Sequence, residues 1–199
     1  MKIGLTGIIL SAAVVSAGCS LSSAPDETFD LVTPAAVDQT VSEARGVQLL
    51  VAEPKTIEIL ASKQVVVRVG ERAVQYLGGV RLADALPRFA QFKIKRALEG
   101  SRAVGAVGLP GDGLAIDYQI ITDIRAFEIR TDGPETAFVS LTVKVLDDRT
   151  GTVIASRVFD AAAPVAGTAT VENEAYIAAL DTALDNALVQ VTNWVGQRV

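Results

Sequence analysis

The sequence predicts an α+β fold in which an antiparallel sheet packs against two main helices. Three observations lead there. From Phe138 to Leu146, Val139, Leu141, Val143 and Val145 alternate with Ser140, Thr142 and Lys144, the period of a strand with one buried face. Near the C-terminus, Ile177, Leu180, Leu184, Leu188, Val191 and Val195 recur at three- and four-residue steps, a stripe suited to lying on a sheet. Leu82, Leu86, Phe89, Ile94, Ala97 and Leu98 form a second helical stripe.

The elements follow in order. Lys2 and the apolar or small run Ile3–Val15 have the length and charge of a signal segment, and are too short for a good transmembrane helix. The run ends in Ser16-Ala17-Gly18-Cys19-Ser20, and Cys19 is the single cysteine of the chain. This arrangement resembles the lipobox of bacterial lipoproteins, with Ser16 where that motif usually has Leu. The resemblance implies that Cys19 becomes the first mature residue and carries acyl chains. An ordinary signal peptide that happens to hold a cysteine is the alternative. Ser20, rather than an inner-membrane-retaining Asp, favours the periplasmic face of the outer membrane over the inner one. The expected organisation is a signal peptide at 1–18, a lipidated N-terminus and tether at 19–45, and a single α+β domain at 46–199.

Within the tether, Thr28 to Val32 has strand character, leaving only Ser20 to Glu27 free, about 26 Å when fully stretched. Val47 to Ala52 reads as a buried strand stopped by Pro54. Val65–Val69 and Ala73–Leu77 suit a hairpin around Gly70-Glu71-Arg72. A helix is expected over about 82–99, with Pro87 in its first turn and Gly100 as C-cap. A short strand at 103–107 precedes a long one at 114–130. The apolar phase of that long strand slips near Thr122-Asp123, which a β-bulge explains. Strands 114–130, 138–146 and 153–159 read as an antiparallel meander, followed by a helix over 172–198.

Composition narrows the function. The net charge of −5 argues against a nucleic-acid partner, which needs a basic face. The chain has no histidine, the commonest general base and metal ligand. With Cys19 committed to lipid, no Cys/His metal site or cysteine nucleophile remains. The glycine-rich run Gly108–Gly113 lacks the Lys and Ser/Thr of a phosphate cradle and reads as a loop. Asp117 and Asp123, six residues apart on one extended strand, stand about 20 Å apart, too far to act as an acid–base pair. Lys63 beside Ser62 makes a poor hydrolase site. No cofactor, metal or catalytic residue is expected.

Several segments appear in the order found in a known family. They are Phe29-Asp30-Leu31 soon after the cysteine, Val66-Val67-Arg68, Tyr76, Leu82-Ala83-Asp84-Ala85-Leu86-Pro87, Asp117-Tyr118-Gln119, Asp123-Ile124-Arg125-Ala126-Phe127, and the Ala-rich last helix. The chain resembles the auxiliary lipoprotein component of ABC-type transporters, found beside MCE-type (mammalian cell entry) lipid transport systems. Leu82 stands where that family usually has Trp. The resemblance implies a curved antiparallel sheet packed against two helices, and a non-enzymatic role assisting an MCE-type protein and an ABC permease and ATPase from the periplasmic side. Asp123, Arg125 and Phe127 are the expected partner interface, since an aromatic between charges on a strand suits one; the alternative puts Phe127 in the core with Asp123 and Arg125 solvated or paired. The alternative is a structural or assembly lipoprotein of an outer-membrane machine, and homo-oligomerisation fits either reading.

Overall fold

The computed structural model describes residues 27–30, 46–101, 104–167 and 172–199. In chain order the elements are β1 (Glu27–Phe29), β2 (Gln48–Val51), a 3-10 turn (Glu58–Leu60), β3 (Val66–Val69), β4 (Ala73–Tyr76), β5 (Val80–Leu82), α1 (Leu86–Gly100), β6 (Ala106–Gly108), β7 (Tyr118–Arg130), β8 (Thr136–Asp147), β9 (Thr152–Pro164) and α2 (Asn173–Gly196). Cys19, the expected signal peptide at 1–18 and most of the expected tether at 19–45 lie outside the described residues.

β7, β8 and β9 form the expected antiparallel meander, paired along nearly their whole length. The β8–β9 turn closes on Asp147, whose carboxylate accepts from the Thr150 amide at 2.8 Å, and Gly151 takes a left-handed φ of 68°. The other edge of β7 is shared by short pieces. β2 pairs with its first residues, Lys55 bridges to Asp123, and β3 pairs with its last residues, all in parallel. β6 extends the β2 edge in parallel, and β4 returns antiparallel on β3 through the Gly70 turn. The seven-stranded sheet is therefore mixed, and it curls into a half-barrel. Antiparallel pairing holds for the meander and the β3–β4 hairpin. β2, β3 and β6 join in parallel because each parallel pair is separated by a long connection that contains α1. Alternation within a strand carries no information about such pairings.

Element boundaries shift for identifiable reasons. α1 begins at Leu86, not 82, because Leu82 ends β5; its four-residue spacing to Leu86 only mimics a helical step. Pro87 sits in the first turn, where its missing N–H costs nothing. β5 pairs in parallel with β1, so residues 27–29 dock on the domain through Glu27 N–Gly79 O and Ala83 N–Phe29 O bonds, both 2.8 Å.

The two helices share one face of the sheet. The predicted α2 stripe is buried throughout and lies on β8 and β9, while α1 lies against α2, β2 and β6. Each buried aliphatic side chain of that stripe contributes about 1.5–3 kcal/mol relative to exposure. Trp194 meets Phe159 of β9 edge-on, with ring centroids 5.4 Å apart. Leu82 is fully buried in the same core.

Candidate docking face of the sheet

The sequence placed a partner interface on β7, and strand register decides what that strand presents. Core-facing residues of β8 are Ala137, Val139, Leu141, Val143 and Val145, all buried. Ile120, Thr122 and Ile124 pair with Val145, Val143 and Leu141, so they face the core as well. Ala126 then pairs with Ser140, and Arg125 has no partner on β8. Arg125 is the extra residue of a β-bulge. Beyond it, Phe127 and Ile129 carry the core face opposite Val139 and Ala137.

This separates the three predicted interface residues. Asp123 is on the outer face, where it accepts from Lys144 Nζ at 3.0 Å. Arg125 is exposed on the bulge. Phe127 is a correction: it is 2% exposed and packed in the core, so it offers no surface to a partner. The apolar phase slip in the sequence carried this information, because Ile120 and Ile124 are out of step with Phe127 and Ile129, and both sets can face one core only across a bulge. Phe138 is an aromatic on the outer face, over which the Arg130 guanidinium stacks at 3.5 Å from the ring centroid.

At this end of the sheet the outer face is held by an ion cluster. Glu128 is buried on it, 2.8 Å from Arg68 Nε and 3.0 Å from Arg130 Nε. Burial alone would push its pKa up. The hydrogen bonds and charges of the two arginines more than offset this and hold it below the ordinary glutamate value. The hydrogen bond to Glu128 likewise raises the Arg68 pKa. In the middle of the face, Ser140 donates to Asp160 at 2.6 Å. Val158 of β9, paired with Thr142, is 42% exposed beside them. The edge strand β9 also exposes Val153 and Ile154 around a second bulge. Charged, aromatic and aliphatic side chains held in fixed register suit contact with a protein surface.

Asp117 and Asp123 have separate partners. Asp117 precedes β7 and caps β2, accepting from the Gln48 amide at 2.8 Å. Asp123 is committed to Lys144. Between the helices, the buried Lys93 ammonium of α1 meets Asp181 of α2 at 2.8 Å and Asp185 at 3.1 Å, the latter without hydrogen-bond geometry. Burial raises the Asp185 pKa against the pull of Lys93. Sequence reading missed this pairing because it joins residues 88 and more apart in the chain.

Comparison with known proteins agrees with the fold. A protein of Bradyrhizobium diazoefficiens is 26% identical over 168 residues, 84% of this chain and 44% of that protein, so the chain spans less than half the length of that relative. A crystal structure of a Xanthomonas campestris protein of the DUF330 family superposes with a TM-score of 0.77 at 24% identity, covering 86% of this chain and 96% of that one. Another, of an uncharacterized protein, gives a TM-score of 0.67 at 14% identity, covering 86% of this chain and 99% of that one. These two likenesses show a shared fold. The family described as ABC-type transport auxiliary lipoprotein component matches residues 29–192, and this chain belongs to that family.

Proposed function

We propose that this chain is a lipid-anchored periplasmic lipoprotein acting as a non-catalytic auxiliary component of an ABC/MCE-type transporter that moves phospholipid between membranes. The observation that carries the reading is the family match beginning at Phe29, ten residues after the lone Cys19. Acyl chains on Cys19 hold the domain at its membrane, because two or more chains make an anchor effectively permanent. Ser20 directs it to the outer membrane. The ATPase and permease supply the energy; this chain contributes a surface.

The outer sheet face around Asp123, Arg125, Phe138 and Val158 is the surface assigned to the MCE-type or permease partner. Asp123 is paired with Lys144 and Glu128 with two arginines. A partner therefore covers these two carboxylates without stranding either as an uncompensated buried charge.

The test is mass spectrometry of the mature N-terminus together with co-purification from the native membrane in mild detergent after cross-linking. A diacylglyceryl-modified Cys19 and recovery of MCE or permease subunits are expected. An unmodified thiol, or recovery of the lipoprotein alone, contradicts the reading.

A further inference from the structure

β9 is a 13-residue edge strand, and among the described residues it pairs with β8 and with no other strand. Its register shows which main-chain groups are spare. The Val165 amide donates to Glu135 O at 3.0 Å, on the β8 side. Alternation from there turns the amides and carbonyls of Arg157, Phe159, Ala161 and Ala163 toward β8, and those of Ser156, Val158, Asp160 and Ala162 to the open side. Gln190 of α2 agrees with this, since it donates to Asp160 O at 3.4 Å.

Natural sheets guard open edges with charge, proline and bulges. β9 carries these guards at its two ends. Pro164 has no N–H, Gln190 reaches Asp160, and Ile154 is the extra residue of a bulge. Between them the strand is open at Ser156 to Val158, and Val158 is 42% exposed there. An open strand segment with an exposed apolar side chain is a template for another strand.

The residues of the edge say which strand fits. β9 of a second copy, antiparallel about a two-fold axis through Val158, sets Val158 against itself and Ser156 against Asp160, whose carboxylate accepts from the serine hydroxyl. Arg157, which lies over its own Phe159 ring at 5.2 Å, comes opposite the second copy's Phe159. Neighbouring axes fit worse. An axis at Asp160 or at Arg157 sets like charges opposite each other, one at Ser156 sets Val158 against the bulge, and one at Phe159 sets Val158 against a carboxylate. The helices agree with the axis at Val158. α2 lies over β8 and β9, so with strands about 4.8 Å apart the two α2 axes come about 10 Å apart, the spacing of packed helices. Asn186 and Gln190 are on the β9 flank of α2, whereas Asp181 and Asp185 are on the flank toward Lys93 and stay clear of the seam.

We infer that β9 is a self-association edge through which two copies of this chain pair as an antiparallel, two-fold symmetric dimer centred on Val158. The axis is normal to the sheet, so the helices of both copies lie on one side and both outer faces on the other. The face assigned to the transporter is doubled and not covered, and the inference holds whichever transporter it meets.

The experiment uses the full-length mature protein. In mild detergent, light scattering corrected for bound detergent is expected to give twice the protomer mass. Val158→Lys sets two ammonium groups across the axis and is expected to raise the dimer dissociation constant at least about tenfold. Val158 is exposed, so this variant is expected to keep its fold, which Trp194 emission checks. In the native membrane, oxidation is expected to join two copies of the Val158→Cys protein through the introduced thiols. It is not expected to join two copies of Val153→Cys, an exposed position on the same strand far from the axis. The linked residues are mapped by mass spectrometry, so a bond through Cys19 is not counted. A protomer-sized parent, a Val158→Lys protein that associates as tightly as the parent, or equal linking at 158 and 153 overturns the inference.

Discussion

Asp123 and Phe127 stand four residues apart on one β-strand and point to opposite faces of the sheet. In a regular strand they share a face. Arg125, the unpaired residue between them, inverts the alternation, sending Asp123 to Lys144 on the outside and Phe127 into the core. Deleting Arg125 is therefore expected to preserve the register, because Ile124 is then followed directly by Ala126 and plain alternation keeps Phe127 and Ile129 opposite Val139 and Ala137. A loss well under the ~3 kcal/mol of removing a large core side chain is expected in urea unfolding, and a larger loss contradicts the bulge assignment. Arg125→Ala is expected to remain within about 0.5 kcal/mol of the parent.

Glu128 gives a prediction with a defined pH window. Its pKa is held below the ordinary 4.5, so the stability it contributes is fully present above that value and is lost as pH falls through its folded pKa. Glu128→Gln is expected to destabilise the protein by about 1–3 kcal/mol at neutral pH, by weakening its bonds to Arg68 and Arg130. Thermal melts of parent and variant are expected to converge below the ordinary glutamate range. A constant gap down to low pH contradicts the assignment.

The interhelical cluster behaves with the opposite sign. The Asp185 pKa is raised above its ordinary 3.8 by burial, so the folded protein holds that proton more tightly than the unfolded chain. The ionised group subtracts stability above its folded pKa, and the penalty is relieved as pH falls towards 3.8. Asp185→Asn is expected to stay within about 1 kcal/mol of the parent at neutral pH, because Asp181 keeps the 2.8 Å bond to Lys93. Lys93→Met strands two carboxylates between the helices and is expected to cost about 3–5 kcal/mol, partly recovered on acidification. Denaturant unfolding at two pH values distinguishes these outcomes.

Trp194 is the single tryptophan of the chain and is buried against Phe159. Its emission is expected to be blue-shifted in the folded protein and to move red in one cooperative step on unfolding. Phe159→Ala is expected to cost about 3–5 kcal/mol, and to lower the midpoint of that step, because it opens a cavity beneath α2 and β8.

Much of this was readable in the residues. The α2 stripe, the β8 alternation and the Gly70 hairpin are short-range patterns, and each appears where its periodicity puts it. The bulge was also legible as a slip in apolar phase, although its extra residue is Arg125 and not one near Thr122. What the residues did not show was non-local. The parallel pairings of β2, β3 and β6, the β1–β5 dock and the Lys93–Asp181 bond all join distant segments, on which local spacing is silent. Phe127 was offered as a surface residue because charges flank it in sequence, yet its own phase with Ile129 pointed inward.

The central claim is that an anchored domain acts by touching a transporter, and site-directed photo-cross-linking in the native membrane tests it most directly. A photoreactive residue replacing Arg125, on the exposed bulge of the outer sheet face, is expected to capture an MCE-type or permease subunit identifiable by mass spectrometry. Capture of no transport component from that position or from Val158, in membranes where the acylated protein is present, would contradict it.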